Sequence, residues 1–476
     1  LDVFIKNLFI QQFPWQPTAQ QLDAFELLEE FLLSFDRQSC FVLRGYAGTG
    51  KTTLIAALVK VLPALKKRAV LLAPTGRAAK VMSYYSGRKA LTIHKKIYRK
   101  KSAVSFQMDF MLGENLHEDT LFIIDEASMI SNEPANVFSK SLLHDLIRYV
   151  QSGKNCTLLF VGDTAQLPPV GLSDSPALSA SYLENEFQLC VYPLELTTVV
   201  RQSKDSGILY NATKIREQIT SSTQEQYEFP FPKFITKGFK DLYRMTGERL
   251  IEGINYAYDK YGIENTMIIC RSNRSANLYN QNIRNRILFR DEELTGGDYI
   301  MVVKNNYYWL QENNMGEGFI ANGDMAKVRK VSNIHDQHGY RFADVTLEFI
   351  DLDEIEPITC RVILDSLYAD GPSLSYDDQK NLYEEIALDY ADIPDKKDRL
   401  EAIKKDPYYN ALQIKFAFAV TCHKAQGGQW PIVFVDQGYV NDEMLDLEFL
   451  RWLYTAVTRA TQELFLVNFS ENFYPS

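Results

Sequence analysis

The stretch Gly45-Tyr-Ala-Gly-Thr-Gly-Lys-Thr52 limits the folds open to this chain more than any other. It joins the apolar run CFVLRG (40–45) to the helix-like run LIAALVKVL (54–62). Strand, tight glycine turn and helix in that order are the unit of a parallel α/β sheet. Glycines let the backbone bend around a triphosphate, so that its N–H groups and the helix N-terminus face the anion. Gly45, Ala47, Gly48, Thr49, Gly50, Lys51, Thr52 and Thr53 are the residues this loop offers to a nucleotide. Lys51 supplies a point charge to the β- and γ-phosphates, and the Thr52 hydroxyl is a ligand for Mg²⁺. A simple glycine turn ahead of a helix is the competing reading, and the full consensus in this setting disfavours it.

The same alternation of short apolar runs and helical stretches continues through the first 190 residues. AVLLAPT (69–75), LFIIDE (121–126) and TLLFVGD (157–163) are continuous apolar strands that end in polar or glycine residues. That is the pattern of a buried parallel sheet with helices on both faces, whose ligands gather at the carboxyl ends of the strands. TMIIC (266–270), AFAVTC (417–422), IVFVDQ (432–437) and ELFLVNF (463–469) predict a second such unit. Between them, ADVTLEF (343–349) alternates apolar and polar residues, and ITCRVIL (358–364) does so in part, the mark of a half-buried antiparallel module. An acidic, helix-rich stretch follows at 372–406.

Net charge does not identify the partner. The chain carries −10, but residues 350–406 hold 16 acidic against 7 basic side chains, nearly the whole imbalance. The remainder is close to neutral, which leaves room for a basic groove. The chain has no run of ~18 apolar residues, and its first fifteen lack the layout of a signal peptide. Residue 1 is Leu, which leaves room for residues upstream. Six scattered cysteines without a CxxC pair read as reduced thiols of a cytoplasmic protein, nucleoid-associated if the host is bacterial.

In LFIIDE a buried strand delivers Asp125 to the Mg²⁺ shell and Glu126 to an attacking water. Two adjacent carboxylates could merely cap a turn, but beside a phosphate loop they point to nucleoside triphosphate hydrolysis. Kinases and GTPases share these two elements. What separates the chain from them is a series in fixed order. Thr18-x-x-Gln21-x-x-Ala24 precedes the loop. Ala73-Pro-Thr-Gly-Arg-Ala-Ala-Lys80, Thr92-Ile-His-Lys95 and Asp125-Glu-Ala-Ser-Met129 follow it. Next are Gly162-Asp-Thr-Ala-Gln-Leu-Pro-Pro-Val170 and Leu196-Thr-Thr-Val-Val-Arg-Gln202. Far downstream come Thr421-Cys-His-Lys-Ala-Gln-Gly427 and Tyr454-Thr-Ala-Val-Thr-Arg-Ala460.

With these motifs the chain resembles a superfamily 1 helicase, and within it the 1B branch of RecD-like and phage Dda-like enzymes. The resemblance covers nearly all of the chain except about 203–265 and 330–410. It implies two RecA-like domains that close on ATP, with Arg201 and Arg459 meeting charge on the γ-phosphoryl group. Gln166 would link the γ-phosphate to DNA-contacting residues, Gln21 would read adenine, and Gly427 would lie near the nucleotide. The implied DNA contacts are Pro74, Thr75, His94, Arg271, Asn273, Thr421, His423 and Lys424. The basic-aromatic run KKIYRKK (95–101) opens an insert where the family places its strand-separating pin. Gln429 stands where RecD-like relatives carry Glu, and Val200 stands where some relatives have an aromatic residue for the base.

The expected fold is α/β: two RecA-like parallel-sheet domains with a small inserted SH3-like β module bearing an acidic helical elaboration. Domain 1A takes residues 1–190, with a pin-like 1B insert at about 95–120. Domain 2A takes 191–325 and 412–476, and the 2B insert takes 326–411. The resemblance implies an ATP- and Mg²⁺-dependent DNA helicase, moving 5′→3′ along single-stranded DNA and unwinding duplex at single-strand/duplex junctions. It would act as a monomer, away from membranes, with repair or replication proteins as partners. Two readings compete: a single-strand-stimulated translocase driving a larger repair complex, and a nucleotide-gated switch that binds protein through its acidic module.

Overall fold

The computed structural model describes residues 2–34, 38–100, 110–134, 140–200, 205–221, 229–313, 319–350 and 356–475. In chain order its first half gives strands β1 (Ser39–Gly45), β2 (Arg68–Ala73) and β3 (Ala90–Thr92), then the short pair β4 (Tyr98–Lys100) and β5 (Phe110–Leu112). Strands β6 (Thr120–Ile124), β7 (Thr157–Gly162) and β8 (Cys190–Leu196) follow. Six of these form one parallel sheet in the order β3-β2-β6-β7-β1-β8. Side chains of a strand alternate between faces, and here both faces are apolar. Phe41, Leu43, Leu121, Ile123, Leu159 and Val161 join one core with helices Ala19–Leu33 and Lys51–Val61. Cys40, Val42, Phe122, Ile124, Leu158 and Phe160 join another with helix Leu142–Gln151. That double covering is why these strands read as unbroken apolar runs.

Strands β9 (Leu242–Met245) and β10 (Thr266–Cys270) open the second lobe. The chain then builds β11 (Tyr299–Val302), β12 (Met325–Gln337), β13 (Tyr340–Phe349), β14 (Ile358–Ile363) and β15 (Leu412–Phe416). It returns with β16 (Ala419–Thr421), β17 (Trp430–Asp436) and β18 (Ala460–Val467). The second parallel sheet has the order β16-β10-β17-β18-β9. The inserted strands β11 to β15 close into a five-stranded barrel. β13 and β14 pair antiparallel, as the alternating patterns over 343–349 and 358–364 predict.

The barrel draws on more chain than the 326–411 segment assigned to the insert, because β11 and β15 close it from either side. Both strands are wholly buried; β11, YIMV, does not alternate, and β15, LQIKF, does so over only five residues, next to the apolar run of the neighbouring sheet. A buried ion pair anchors this start. Asp298, fully buried, meets Arg284 at 3.1 Å and Arg290 at 2.7 Å, and takes the Thr295 N–H at 2.9 Å. At the other boundary β8 runs to Leu196, so the first sheet extends past residue 190.

The acidic stretch folds as helices Tyr376–Asp389 and Lys396–Lys404. Its acidic face is solvated, while Leu382, Ile386 and Ile403 pack on Phe342 and Ile363 of the barrel. The core of the second sheet is continuous with that of the barrel and takes in Tyr46, Ala165 and Leu167 from the first lobe. All six cysteines are free thiols. Among the described residues no helix is long and apolar enough to cross a membrane.

Candidate functional site

The phosphate loop leaves the carboxyl end of β1 and turns into helix Lys51–Val61. Gly50 sits at φ 90°, a left-handed conformation that side-chain-bearing residues adopt only under strain. A Cβ there would come within 2.6 Å of the Gln21 amide nitrogen, so both space and conformation require glycine. The Lys51 ammonium donates to the carbonyls of Gly45 at 2.6 Å and Tyr46 at 3.0 Å, which holds its charge across the mouth of the loop. Gly45, Ala47, Gly48, Thr49, Thr52 and Thr53 line the same turn, and the Thr52 side chain is exposed at the first turn of the helix.

Gln21 is buried but serves the protein's own backbone. Its Oε1 accepts the Thr18 N–H at 3.0 Å in a capping box, and its Nε2 donates to the Thr49 carbonyl at 3.4 Å. The amide therefore fastens the helix start to the loop, with one N–H left over for a base.

Asp125 follows the end of β6. Its Oδ2 accepts from the Tyr85 hydroxyl at 2.7 Å and its Oδ1 from the Glu126 N–H at 2.8 Å, bonds that fix the plane of the carboxylate. Glu126 itself holds φ at 51°, a strained setting for a non-glycine residue, just past the end of β6. Burial pushes the Glu126 carboxyl up. The Arg459 guanidinium pulls it back, Asp125 pushes it up again, Lys51 pulls it down and Asp163 raises it. Charges from both lobes thus bear on one carboxylate.

Arg459 is 3% exposed and follows the last turn of helix Leu447–Val457 in the second lobe. Its Nε donates to the Thr455 carbonyl at 3.0 Å, its Nη1 to the Gly428 carbonyl at 3.2 Å and its Nη2 to the Thr458 hydroxyl at 3.2 Å. These bonds hold it rigidly from its own side. Gln166 is buried, and its side-chain Oε1 has no partner within the protein, a polar atom placed for a ligand or water. Val200 donates its N–H to the Gly48 carbonyl at 2.9 Å, and Arg201 lies outside the described residues.

The set proposed for DNA divides between the lobes. Thr75 caps helix Gly76–Ser86 by accepting the Ala78 N–H at 3.2 Å, and Pro74 precedes it. His94, on helix Ile93–Ile97, is lowered from the usual imidazole range by burial and lies 5.6 Å from the Tyr98 ring. In the second lobe Thr421 opens helix Cys422–Ala425, which carries His423 and Lys424. Burial lowers both, Lys424 to about 8. Arg271 is exposed, its guanidinium 5.4 Å from the Phe449 ring, and Asn273 begins helix Asn273–Asn282. Gly427, assigned to the nucleotide, has Thr75 and Ala78 as its nearest neighbours. Beside it Arg77 donates to the Gln429 carbonyl at 3.2 Å and lies 4.5 Å over Trp430. The two lobes therefore touch at the start of helix Gly76–Ser86, where Thr75 of the proposed DNA set lies beside Gly427. The run at 95–101 continues from helix Ile93–Ile97 into β4, which pairs with β5, and residues 101–109 of the expected pin lie outside the described residues.

Sequence reasoning missed Asp163, Gln426, Tyr454 and Thr455, which hydrogen-bond between the lobes. Each lies inside a quoted motif, so the signal was present, but only the fold shows that they face one another.

Residues 19–228 match a family described as an AAA domain, and residues 416–467 one described as the UvrD-like helicase C-terminal domain. The chain is 25% identical to "Uncharacterized protein R530" of Acanthamoeba polyphaga mimivirus, over 94% of this chain and 98% of that protein. It is 24% identical to "ATP-dependent DNA helicase dda" of Enterobacteria phage T4, over 94% of this chain and 99% of that one. Over 36% of its length it is 32% identical to "ATP-dependent RecD2 DNA helicase" of Deinococcus radiodurans, covering 21% of that protein.

Proposed function

Because the chain belongs with the superfamily 1B helicases of the RecD-like and Dda-like kind, we propose that it uses ATP and Mg²⁺ to move 5′→3′ along single-stranded DNA and part the duplex ahead. The observation that carries this reading is the contact of the second lobe with the phosphate loop, where the Tyr454 hydroxyl accepts the Ala47 N–H at 2.9 Å, on the same side of the cleft from which Arg459 acts electrostatically on Glu126. Hydrolysis then needs both lobes together, and a cycle of hydrolysis becomes a cycle of relative motion.

In that cycle Lys51 and the loop N–H groups hold the phosphates. The Thr52 hydroxyl and the oriented Asp125 carboxylate are hard oxygen donors, the set that suits Mg²⁺ shared with phosphates. Mg²⁺ supplies charge neutralisation when bound. Glu126 takes a proton from the attacking water as its oxygen bonds to the γ-phosphorus, the bond to the β-phosphate oxygen breaks, and ADP is the leaving group. Arg459 meets the charge that develops on the transferring group, and Gln166 orders the water or phosphate beside it.

Duplexes with a 5′ or a 3′ single-stranded tail test the reading. The 5′-tailed duplex is expected to be unwound with ATP, the 3′-tailed one not. Lys51→Ala should unwind neither while still retaining the strand on a filter. Preference for the 3′ tail would reverse the polarity, and DNA-stimulated turnover without strand separation would replace the helicase by a translocase.

The proposed DNA contacts carry their own pH dependence. Among them Lys424 falls to about 8 through burial. Phosphate favours the ammonium form, so below pH 8 the free site is already charged. Above it, binding must first restore a proton. For a single such lysine, affinity for an oligonucleotide should fall about eightfold between pH 7.5 and pH 9. Lys424→Arg, charged throughout, should flatten that slope in a fluorescence titration. An equally steep slope in the variant would remove Lys424 from the contact.

A further inference from the structure

One hydroxyl ties the second lobe to the phosphate loop. Tyr454 lies on helix Leu447–Val457 and is 1% exposed. Its Oη accepts the N–H of Ala47, inside the loop, at 2.9 Å, and donates to Oδ2 of Asp163 at 2.8 Å. Asp163, also 1% exposed, follows β7 and uses Oδ1 to accept the Ala165 N–H at 2.9 Å. The neighbouring Thr455 hydroxyl accepts the Leu167 N–H at 2.9 Å, and Gln426 donates to the Leu167 carbonyl at 2.8 Å. The bonds of Tyr454 to Ala47 and Asp163, and those of Thr455 and Gln426 to Leu167, run between the lobes, and of these four the one to Ala47 reaches the loop itself.

The direction of the protons is fixed by chemistry. The Ala47 N–H can only donate, so the phenol oxygen turns a lone pair toward it and points its single O–H at Asp163. Burial and then the Asp163 charge push the phenol well above its ordinary range, so it stays a donor at any working pH. Ala47 immediately precedes Gly48, whose φ of 79° starts the bend into helix Lys51–Val61. A shift of Tyr454 therefore displaces the loop where it begins to wrap the phosphates.

We propose that Tyr454 is a positioning residue whose hydroxyl, held by Asp163, sets the phosphate loop through Ala47 only when the two lobes are together. It acts through the loop, whereas Arg459, five residues on, acts on the phosphoryl charge. DNA that draws the lobes together would shape the loop by this bond, which gives the strand a route to the turnover rate. The inference rests on the reading of the chain as a DNA-stimulated ATPase.

The test uses the full chain carrying Tyr454→Phe, with ATP turnover measured against ATP and against a single-stranded oligonucleotide. The phenyl ring keeps the packing and removes only the hydroxyl, leaving one N–H and one carboxylate oxygen short of a partner. Expected are a kcat lowered about tenfold to a hundredfold, a KM for ATP changed less than about threefold, and loss of most of the stimulation by DNA. Asp163→Asn keeps an acceptor oxygen for the phenol and should fall between the two. A merely structural role would lower the melting temperature and the amount of active protein. It would leave the ratio of stimulated to basal turnover untouched. Should Tyr454→Phe fail to fold, the same ratio in Asp163→Asn decides. Wild-type stimulation in a folded Tyr454→Phe overturns the inference and leaves the ATPase reading standing. Absence of stimulation in the unaltered protein overturns both.

Discussion

Glu126→Gln is expected to cut DNA-stimulated ATP turnover about a thousandfold while ATP still binds. The amide matches the carboxylate in shape and keeps the strained backbone at φ 51°, so the site survives. What disappears is a proton acceptor beside the attacking water. Because burial pushes this carboxyl up, the native group is more basic than an ordinary glutamate and better matched to the task. Loss of its charge also removes an unfavourable neighbour of Asp125, so the bound nucleotide should be retained longer. Single-turnover hydrolysis with stopped-flow binding of a fluorescent ATP analogue separates these effects. A turnover rate within about threefold of the parent would take Glu126 out of the chemistry.

Arg459→Ala should lose at least about a thousandfold, the range measured when a guanidinium facing a transferring phosphoryl group is removed. Lysine should not recover it. Three fixed acceptors hold the planar group in place, and a point charge on a flexible stem cannot reproduce that geometry. The substitution has a second signature. After burial, Arg459 is the largest influence on Glu126, and it pulls the carboxyl down. Without it the carboxyl moves further up, so a smaller fraction is ionised at any given pH. The acid limb of the residual pH–rate profile should therefore shift to higher pH. Thermal unfolding of the same preparation controls for loss of a buried, hydrogen-bonded side chain. Native turnover with an unmoved acid limb would show that the second lobe contributes no charge to hydrolysis.

How much of this was legible in the sequence differs from element to element. The first sheet was plain, because strands covered on both faces write themselves as unbroken apolar runs, as β6 and β7 do. The barrel was half visible. β13 alternates cleanly, whereas β12 is exposed along most of its outer half, β11 is a short unbroken run, and β15 alternates in sequence over only five residues although both of its faces are buried. At the site, loop glycines and paired carboxylates announce their chemistry by residue type and spacing alone. Tyr454 and Asp163 do not, since a tyrosine and an aspartate 291 residues apart acquire a joint meaning only when two lobes face each other. Gln21 gives the reverse lesson: a polar side chain in a motif spends most of its bonding capacity on its own backbone.

The interleaving of the barrel with the second sheet also bears on how the polypeptide is made. β10 lies between β16 and β17, and both emerge from a ribosome about 150 residues after it. At ~5–20 residues per second that is a wait of roughly 8–30 s with one apolar strand unpaired. β11 and β15 pair with each other, so a barrel that folds first draws the two ends of its own segment together. It shortens the loop that the sheet must close. β9, at the far edge, waits longer still, until β18 has been synthesised. Nascent chains of this architecture are accordingly natural clients for chaperones that shield single hydrophobic segments, and the barrel serves as an assembly jig for the lobe that carries it.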